Sequence, residues 1–376
     1  MITRLYANNF RCLVAFKAEF DSFGVLCGPN GSGKSSVFDA LRLICNLGTG
    51  DGILGGNRDQ DVPHLEFTNW QKGTAHESTS QEFELGVTAQ GHAFEYSIQI
   101  EQKADFEKPR FVKERATCDG KVLFERDMDG VRFKRGDGNQ TGFPLDWRQS
   151  ALGSIQPKGS IADLAILQPA VANILILRPN PRGMEKESKA ETKRPDLYFT
   201  GLTSWYRSLS QDLDWTIALR DLLKGVWPGL QSLRLVDAGR NTKALQLRFD
   251  RSNGEGTNDL FFEQLSDGEK ALIGLYMVRA ALATGAAQTV LIDEPDNYVG
   301  LPELQPWSLS LQELLDEDHQ AILISHHPEI LNNSGEEAGR YLWRDNHTSP
   351  TRIGPLNVPE GLSAGEAVTR GWIHGS

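Results

Sequence analysis

Apolar and polar positions along the chain follow two periods, and the switches between them mark its organisation. Residues 2–27 read as two short strands joined by a turn. The second, FGVLC, is apolar and runs straight into GPNGSGKSS. A helix is expected next, from about Ser35 to Asn46. Residues 48–62, including GTGDGILGGNRDQD, are rich in Gly and Asp and read as a loop. From about 81 to 135 the period is two, in EFELGVTA, HAFEYSIQIEQ, RFVKERATC, KVLFERDM and VRFKRG. With Gly and Asp between the runs, this predicts antiparallel strands. Residues 160–230 are more helical, interrupted by the charged, apolar-poor Asn180–Asp196, expected to be a mobile loop. Residues 231–249 return to a strand pattern. Then come an amphipathic helix in QLSDGEKALIGLYMVRAAL (264–282), the strand TVLID, a helix near 302–316 and the strand QAILISHH. No heptad run is long enough for a coiled coil, and no internal repeat is visible. The alternation of strand and helix predicts an α/β chain with a mixed or parallel core sheet and an antiparallel β subdomain.

Composition narrows the class. The chain has 376 residues, 39% hydrophobic and 24% charged, which suits one large globular domain or two ordinary ones. A net charge of −11 argues against coating nucleic acid by bulk charge, while leaving room for a local basic patch. The four cysteines, Cys12, Cys27, Cys45 and Cys118, form no C-x-x-C pair and fit free thiols in a reducing cytoplasm. The N-terminus lacks a signal-peptide shape. The apolar stretch Ile161–Leu177 is interrupted by Asp163, Gln168, Pro169 and Asn173, so no membrane association is expected.

The chemistry concentrates in four short motifs. GPNGSGKS, Gly28–Ser35, matches G-x-x-x-x-G-K-[ST] at every required position, between an apolar strand and a helix. Gly28, Gly31 and Gly33 let backbone N–H groups curl around phosphates. Lys34 can reach the β- and γ-phosphates, and Ser35 can ligate Mg²⁺. Asn30, Ser32 and Ser36 complete the expected ATP-binding set. A glycine-rich turn that binds nothing is the competing reading, and the strand–loop–helix context counts against it. TVLIDEP ends an apolar strand in two carboxylates: Asp293 suits metal support, and Glu294 suits a general base for water. ISHHPEIL places His326 at another strand end, where it could contact a γ-phosphate, with a hydrogen-bonded surface histidine as the alternative. His327 fits that plainer role better. LSDGEK carries Ser266 and Glu269 in the spacing of a capping box. A cap alone does not need Gly268, because Gly in a first turn costs roughly 1 kcal/mol against Ala. A helix start that admits a phosphate does favour it.

In this order the motifs resemble the ATP-binding-cassette (ABC) ATPase superfamily, and within it the RecF/SMC/OLD-related ATPases. NNFRCLVAF (8–16) is similar to the N-terminal strand motif of that branch, LSDGEK (265–270) to its signature variant, DEPDNYVGLPELQPW (293–307) to its extended Walker B and D-loop, and ISHHPEIL to its His-switch. The resemblance covers both ends of the chain, and the middle, about 50–240, in layout only. It implies an ABC-type head over 1–376: a P-loop lobe with the antiparallel β subdomain (1–160), a helical signature-bearing lobe (161–285), and a Walker B, His-switch and C-terminal segment (286–376). It also implies ATP with Mg²⁺ held by Ser35 and Asp293, hydrolysis by Glu294 with His326 sensing the γ-phosphate, and head-to-tail homodimers or higher oligomers. In such a dimer Ser266, Asp267, Gly268 and Glu269 would close the partner head's ATP, with Asp296 in the coupling D-loop and Arg11 either a nucleotide contact or an ordinary surface arginine. Departures from the pattern are Asp267, where transporter cassettes favour glycine, YVGLPE after Asn297, and a Q-loop glutamine left open between Gln156 and Gln168.

Three functions follow from the resemblance. The first is an ATP-gated switch in anti-phage defence or DNA maintenance, working with a separate effector such as a nuclease or toxin. It is motivated by the missing coiled coil and by residues 332–376, too short for a nuclease domain. The second is a RecF-like DNA-binding repair ATPase, using the basic segments RFVKERATC and VRFKRG. The third is a transporter's ATP-binding subunit. The long chain between Lys34 and Ser266 disfavours it, because transporter cassettes are more compact.

Overall fold

The computed structural model describes residues 1–50, 52–55, 65–75, 77–102, 108–134, 140–251 and 254–373. Part of the Gly- and Asp-rich stretch 48–62, namely 51 and 56–62, lies outside them. Among the described residues the chain runs β1 (Ile2–Asn8), β2 (Phe16–Glu19), β3 (Phe23–Cys27), α1 (Lys34–Gly48), β4 (Ser80–Ala89), β5 (His92–Glu101), β6 (Arg110–Cys118), β7 (Lys121–Asp127), β8 (Gly130–Lys134) and β9 (Gln140–Phe143). It continues through α2 (Ala151–Ser154), α3 (Leu164–Ala172), β10 (Ile174–Leu177), β11 (Glu187–Ser188), α4 (Leu202–Leu209), α5 (Leu213–Val226), β12 (Leu230–Gly239), β13 (Thr242–Asp250) and β14 (Thr257–Phe261). It ends with α6 (Asp267–Ala283), β15 (Thr289–Asp293), α7 (Leu301–Gln312), β16 (Gln320–Ile324), α8 (Pro328–Ala338), β17 (Gly339–Trp343), β18 (Arg352–Pro355) and α9 (Ala364–Thr369). These elements form two compact units, Met1–Ile174 with Glu336–Ser376, and Leu175–Gly335.

In the first unit the period-two segments form the expected antiparallel sheet, in the order β2-β1-β4-β5-β6-β7-β8-β9. The N-terminus supplies three strands where the sequence suggested two. The turn after β1 holds Asn9, Arg11 and Ala15 in left-handed backbone, at φ of 57°, 51° and 45°. Asn9 makes this tolerable: its amide donates to the carbonyls of Ser78 and Ser80 at 2.9 Å each. The tight reversal lets FKAE return as β2, with Phe16 and Ala18 buried. β3 pairs in parallel with β17, and β17 antiparallel with β18. Glu114 is the polar centre of this unit. Its carboxylate accepts from Tyr96 Oη (2.9 Å), Ser150 Oγ (2.7 Å), and the amides of Ala151 (2.7 Å) and Leu152 (3.0 Å). Arg126, 3.4 Å away, balances its charge.

In the second unit β15 and β16 pair in parallel, with every residue of both buried. Such near-continuous apolar strands suit a sheet covered on both faces. β10, ILIL, neighbours β15; the sequence pattern had assigned it to the helical stretch. Its four branched aliphatics, bounded by Asn173 and Pro179, favour a buried strand. β12 and β14 both pair with β13, as does the short β11. Two expectations are corrected here. α6 is buried almost all round, from Ala271 to Leu282 apart from Arg279, so it is a central helix and not an amphipathic one. The segment 180–196 is held in place by backbone bonds that its side-chain composition does not show: Glu185 N donates to Thr200 O (2.7 Å) and Thr192 N to Ser204 O (3.3 Å), and β11 pairs with β13. Ser188 is fully buried there.

Candidate nucleotide site

The P-loop turns on three glycines in backbone that side chains disfavour, two of which also lack room for a Cβ. Gly28, Gly31 and Gly33 adopt φ of 140°, 78° and 107°. A Cβ on Gly28 would run into the carbonyl of Leu342 on β17, and one on Gly33 into the Thr351 side chain and Cys12 Sγ. The loop's carbonyls are tied back. Lys34 is buried, and its Nζ donates to Gly28 O (2.7 Å) and Pro29 O (3.1 Å). Thr351 Oγ1 donates to Ser32 O (2.8 Å), and Arg344 Nη1 to Gly31 O (3.2 Å). With these acceptors claimed, the loop presents mainly donors. α1 begins at Lys34 behind Gly33, a residue with no side chain to cap the first turn. An open helix N-terminus of this kind favours an anion. Ser32 Oγ is buried with no hydrogen-bond partner among the described residues, whereas Asn30, Gly31 and Ser35 are exposed. Ser36 Oγ accepts from Cys12 Sγ at 3.4 Å. Burial pushes the nearby Cys27 thiol up to about 12, so it remains neutral and leaves the lysine's charge unspent. Arg11 pairs with Asp39 on α1 and lies 3.3 Å from Glu66.

The carboxylates sit in the second unit. Asp293 closes β15 and is buried. Glu294 follows in left-handed backbone, at φ of 53°. That conformation costs about 1–3 kcal/mol for a non-glycine residue and persists only where neighbours enforce it. Two do: Glu294 N donates to Ile324 O at 2.9 Å, and Asn297 Nδ2 holds Glu294 Oε2 at 2.6 Å. Asp296 accepts from Ser325 Oγ (2.7 Å), and Ser325 Oγ accepts from His327 N (3.0 Å). His327 Nδ1 accepts from Glu329 N at 3.2 Å, a local helix-start role. His326 follows β16 and is half-buried. The Ser35 hydroxyl in the first unit and the Asp293 carboxylate in the second are each, taken singly, a hard oxygen donor.

The LSDGEK cap forms as the spacing predicts. Ser266 Oγ accepts from Glu269 N (3.3 Å), and Glu269 Oε2 accepts from Ser266 N (2.8 Å). Ser266 is exposed. Gly268 has a reason within the chain: a Cβ there would lie 2.8 Å from the Tyr298 carbonyl, so the D-loop backbone crosses this helix start. Gln168 donates to Leu152 O (2.7 Å) and Ile155 O (2.8 Å), tying α2 to α3. Three residues went unnoticed in the sequence. Asn297 holds Glu294, Arg178 pairs with Asp293 and Arg182 with Asp267. Two arginines four apart, set among prolines after an apolar run, were the available signal. Three arginines of the basic strands have carboxylate partners: Arg110 pairs with Glu101 (2.9 Å), Arg115 with Glu125 (3.1 Å), and Arg132 with Asp127.

A glycine cradle on an open helix start, a Walker-type carboxylate pair and a capped signature helix together define an ABC-type P-loop ATPase head. The chain belongs to the family described as "AAA domain, putative AbiEii toxin, Type IV TA system", which matches residues 23–332. Among solved structures it is similar to an Smc head bound to the C-winged helix domain of ScpA. The TM-score is 0.57 at 16% identity, over 94% of this chain and 98% of that one. It is also similar to the Smc head domain with an extended coiled coil bound to the C-terminal domain of ScpA, derived from Pyrococcus furiosus. There the TM-score is 0.50 at 15% identity, over 98% of each chain. No curated protein matches it. Among the described residues no helix is long and apolar enough to cross a membrane.

Proposed function

We propose that the protein is an ATP-gated switch that hydrolyses ATP and acts through a separate effector in defence or DNA maintenance. The carrying observation is the donor-lined glycine cradle ending in an uncapped helix start, with Lys34 folded inside it. Asn30–Ser36 hold the triphosphate, and Lys34 exchanges its loop carbonyls for phosphate oxygens. Ser35 and Asp293 hold Mg²⁺, which supplies charge neutralisation when bound. Glu294, aimed by Asn297, takes a proton from the attacking water, and His326 senses the γ-phosphate. Ser266–Glu269 are surface-exposed in part, as a signature acting on a second copy requires. Support for the biological role comes from the family's description, with its toxin and toxin–antitoxin terms. Support for partner binding comes from the Smc heads solved with ScpA domains. The DNA-binding alternative is weakened by three arginines of its basic strands, Arg110, Arg115 and Arg132, each of which is paired with a carboxylate.

The test is the oligomeric state of Glu294→Gln with ATP. A stable dimer or higher assembly is expected, lost again in Glu294→Gln/Lys34→Ala. A monomer at micromolar concentration with ATP bound contradicts the switch.

A further inference from the structure

Residues 178–182, RPNPR, leave β10 and carry one arginine to each of two motifs. Arg178 donates from Nη2 (2.6 Å) and Nε (2.8 Å) to the same oxygen of Asp293, Oδ2. Arg182 Nε donates to Asp267 Oδ2 at 3.1 Å, at the first residue of the signature helix. Pro179 and Pro181 fix φ at two of the three positions between them, so the arginines are joined by a stiff spacer. The spacer is anchored at its start: Arg178 N donates to Leu197 O (2.6 Å) and Asn180 N to Tyr198 O (3.1 Å). The two contacts differ in setting. Asp293 is 5% exposed at its side chain and Arg178 36%, so a half-exposed guanidinium bonds a buried carboxylate through two charge-assisted hydrogen bonds. Arg182 is 78% exposed and Asp267 40%, so that contact is weak and easily exchanged.

We infer that this segment is a latch which couples the metal carboxylate of one head to the signature that the same head offers to its partner. The inference rests on the roles proposed above for Asp293 and Ser266–Glu269. Arg178 sits on Oδ2 of Asp293, and a divalent cation held through the same carboxylate would meet like-charge repulsion from the guanidinium. Arg178 therefore releases Asp293 when the site is loaded. The spacer carries that change to Arg182, which lets go of Asp267 and takes its guanidinium away from the first turn of the signature helix. The signature, already exposed in part, then loses its arginine neighbour only when Asp293 takes up its cation, so an empty head engages a second copy less readily.

The measurement is the Mg²⁺ half-saturation for binding of a ribose-labelled fluorescent ATP, read by fluorescence and independent of turnover. Arg178→Met removes the competing charge and should lower the half-saturation concentration about threefold to tenfold. Arg178→Lys keeps the charge without the fork and should fall between it and wild type, which guards against Arg178→Met failing to fold. Arg182→Ala, remote from Asp293, should shift the value in the same direction by about twofold. The combined variant should shift less than the product of the two. An unchanged or higher half-saturation in both Arg178 variants overturns the latch. A shift in those variants with none in Arg182→Ala overturns the coupling. If wild type fails to bind the fluorescent ATP at all, the nucleotide reading itself fails, and that result is distinct from either.

Discussion

The glycine cradle of the first unit and the carboxylate cluster of the second hold their functional groups by opposite means. In the cradle the geometry comes from what is missing: Gly28 and Gly33 have no Cβ where Leu342 and Thr351 already sit. In the cluster it comes from what has been added. Glu294 is forced into left-handed backbone and then held by Asn297, while Asp293 is held by Arg178. The first arrangement is a steric necessity, and the second is a set of replaceable polar contacts. Substitutions should therefore fail differently in the two places, the cradle through stability and the cluster through rate.

Gly33→Ala should show the largest effect. It combines a φ of 107° with a Cβ that would sit 2.9 Å from Cys12 Sγ and closer still to Thr351. Backbone strain and overpacking together should cost about 3 kcal/mol or more. Urea denaturation should show the loss, and a fluorescent-ATP titration should show binding weakened beyond the measurable range. A loss under about 1 kcal/mol would mean that the loop relaxes freely, and the contrast would collapse.

Asn297→Ala should be milder in stability and selective in rate. Glu294 keeps its backbone bond to Ile324 and loses only the partner that aims its carboxylate. Single-turnover hydrolysis should fall about tenfold, with nucleotide affinity within twofold of wild type, as expected for a general base left unaimed. Equal loss of affinity and rate would place Asn297 in binding instead.

The cradle was almost wholly legible in the sequence, because its parts are contiguous. Eight residues from Gly28 to Ser35 contain the glycines, the lysine and the hydroxyl, and the local pattern leaves little freedom. The capping box was legible for the same reason, with Ser266 and Glu269 three apart. What escaped came from contacts distant in sequence. Gly268 looked like a ligand position because nothing nearby required a glycine, while the carbonyl that does require it belongs to Tyr298. Arg178 reaches Asp293 across 115 positions and Arg182 reaches Asp267 across 85. The strand ILIL was absorbed into a helical stretch because four apolar residues have no period of their own. Segment 180–196 looked unstructured because its anchors are backbone groups, which composition cannot display.

Ser266→Ala bears on the capping box as a local feature. It removes the acceptor for Glu269 N at an exposed helix start, and should cost about 1 kcal/mol of unfolding free energy in the second unit. ATP affinity at Gly28–Ser35 should be unchanged. ATP-driven association of Glu294→Gln should weaken if the cap also serves a second copy. Loss of stability without any change in association would reduce LSDGEK to a cap alone.

The smallest effect should come from His92 and Asp119, which pair much as Arg178 and Asp293 do but in open solvent. His92 Nδ1 and Asp119 Oδ2 are 2.7 Å apart, with Ala93 N also donating to the carboxylate at 2.9 Å. The hydrogen bond to Asp119 raises the His92 pKa, and the same bond lowers that of Asp119. Because the folded His92 pKa is raised, its contribution is complete below the unfolded value of about 6.5 and disappears as pH rises through the folded value. Because Asp119 is lowered, its contribution is complete above about pH 4 and is lost as pH falls through its folded value. The pair should therefore help most between roughly pH 4 and 6.5. An NMR titration of the His92 ring should give a midpoint above that of an exposed reference peptide. The urea midpoint of wild type relative to His92→Gln should decline slightly from pH 5.5 to pH 8. A decline as large as the effect of Asn297→Ala would mean that exposed pairs hold as firmly as buried ones. Burial could then no longer explain why the weight of the second site falls on Asp293 and Arg178.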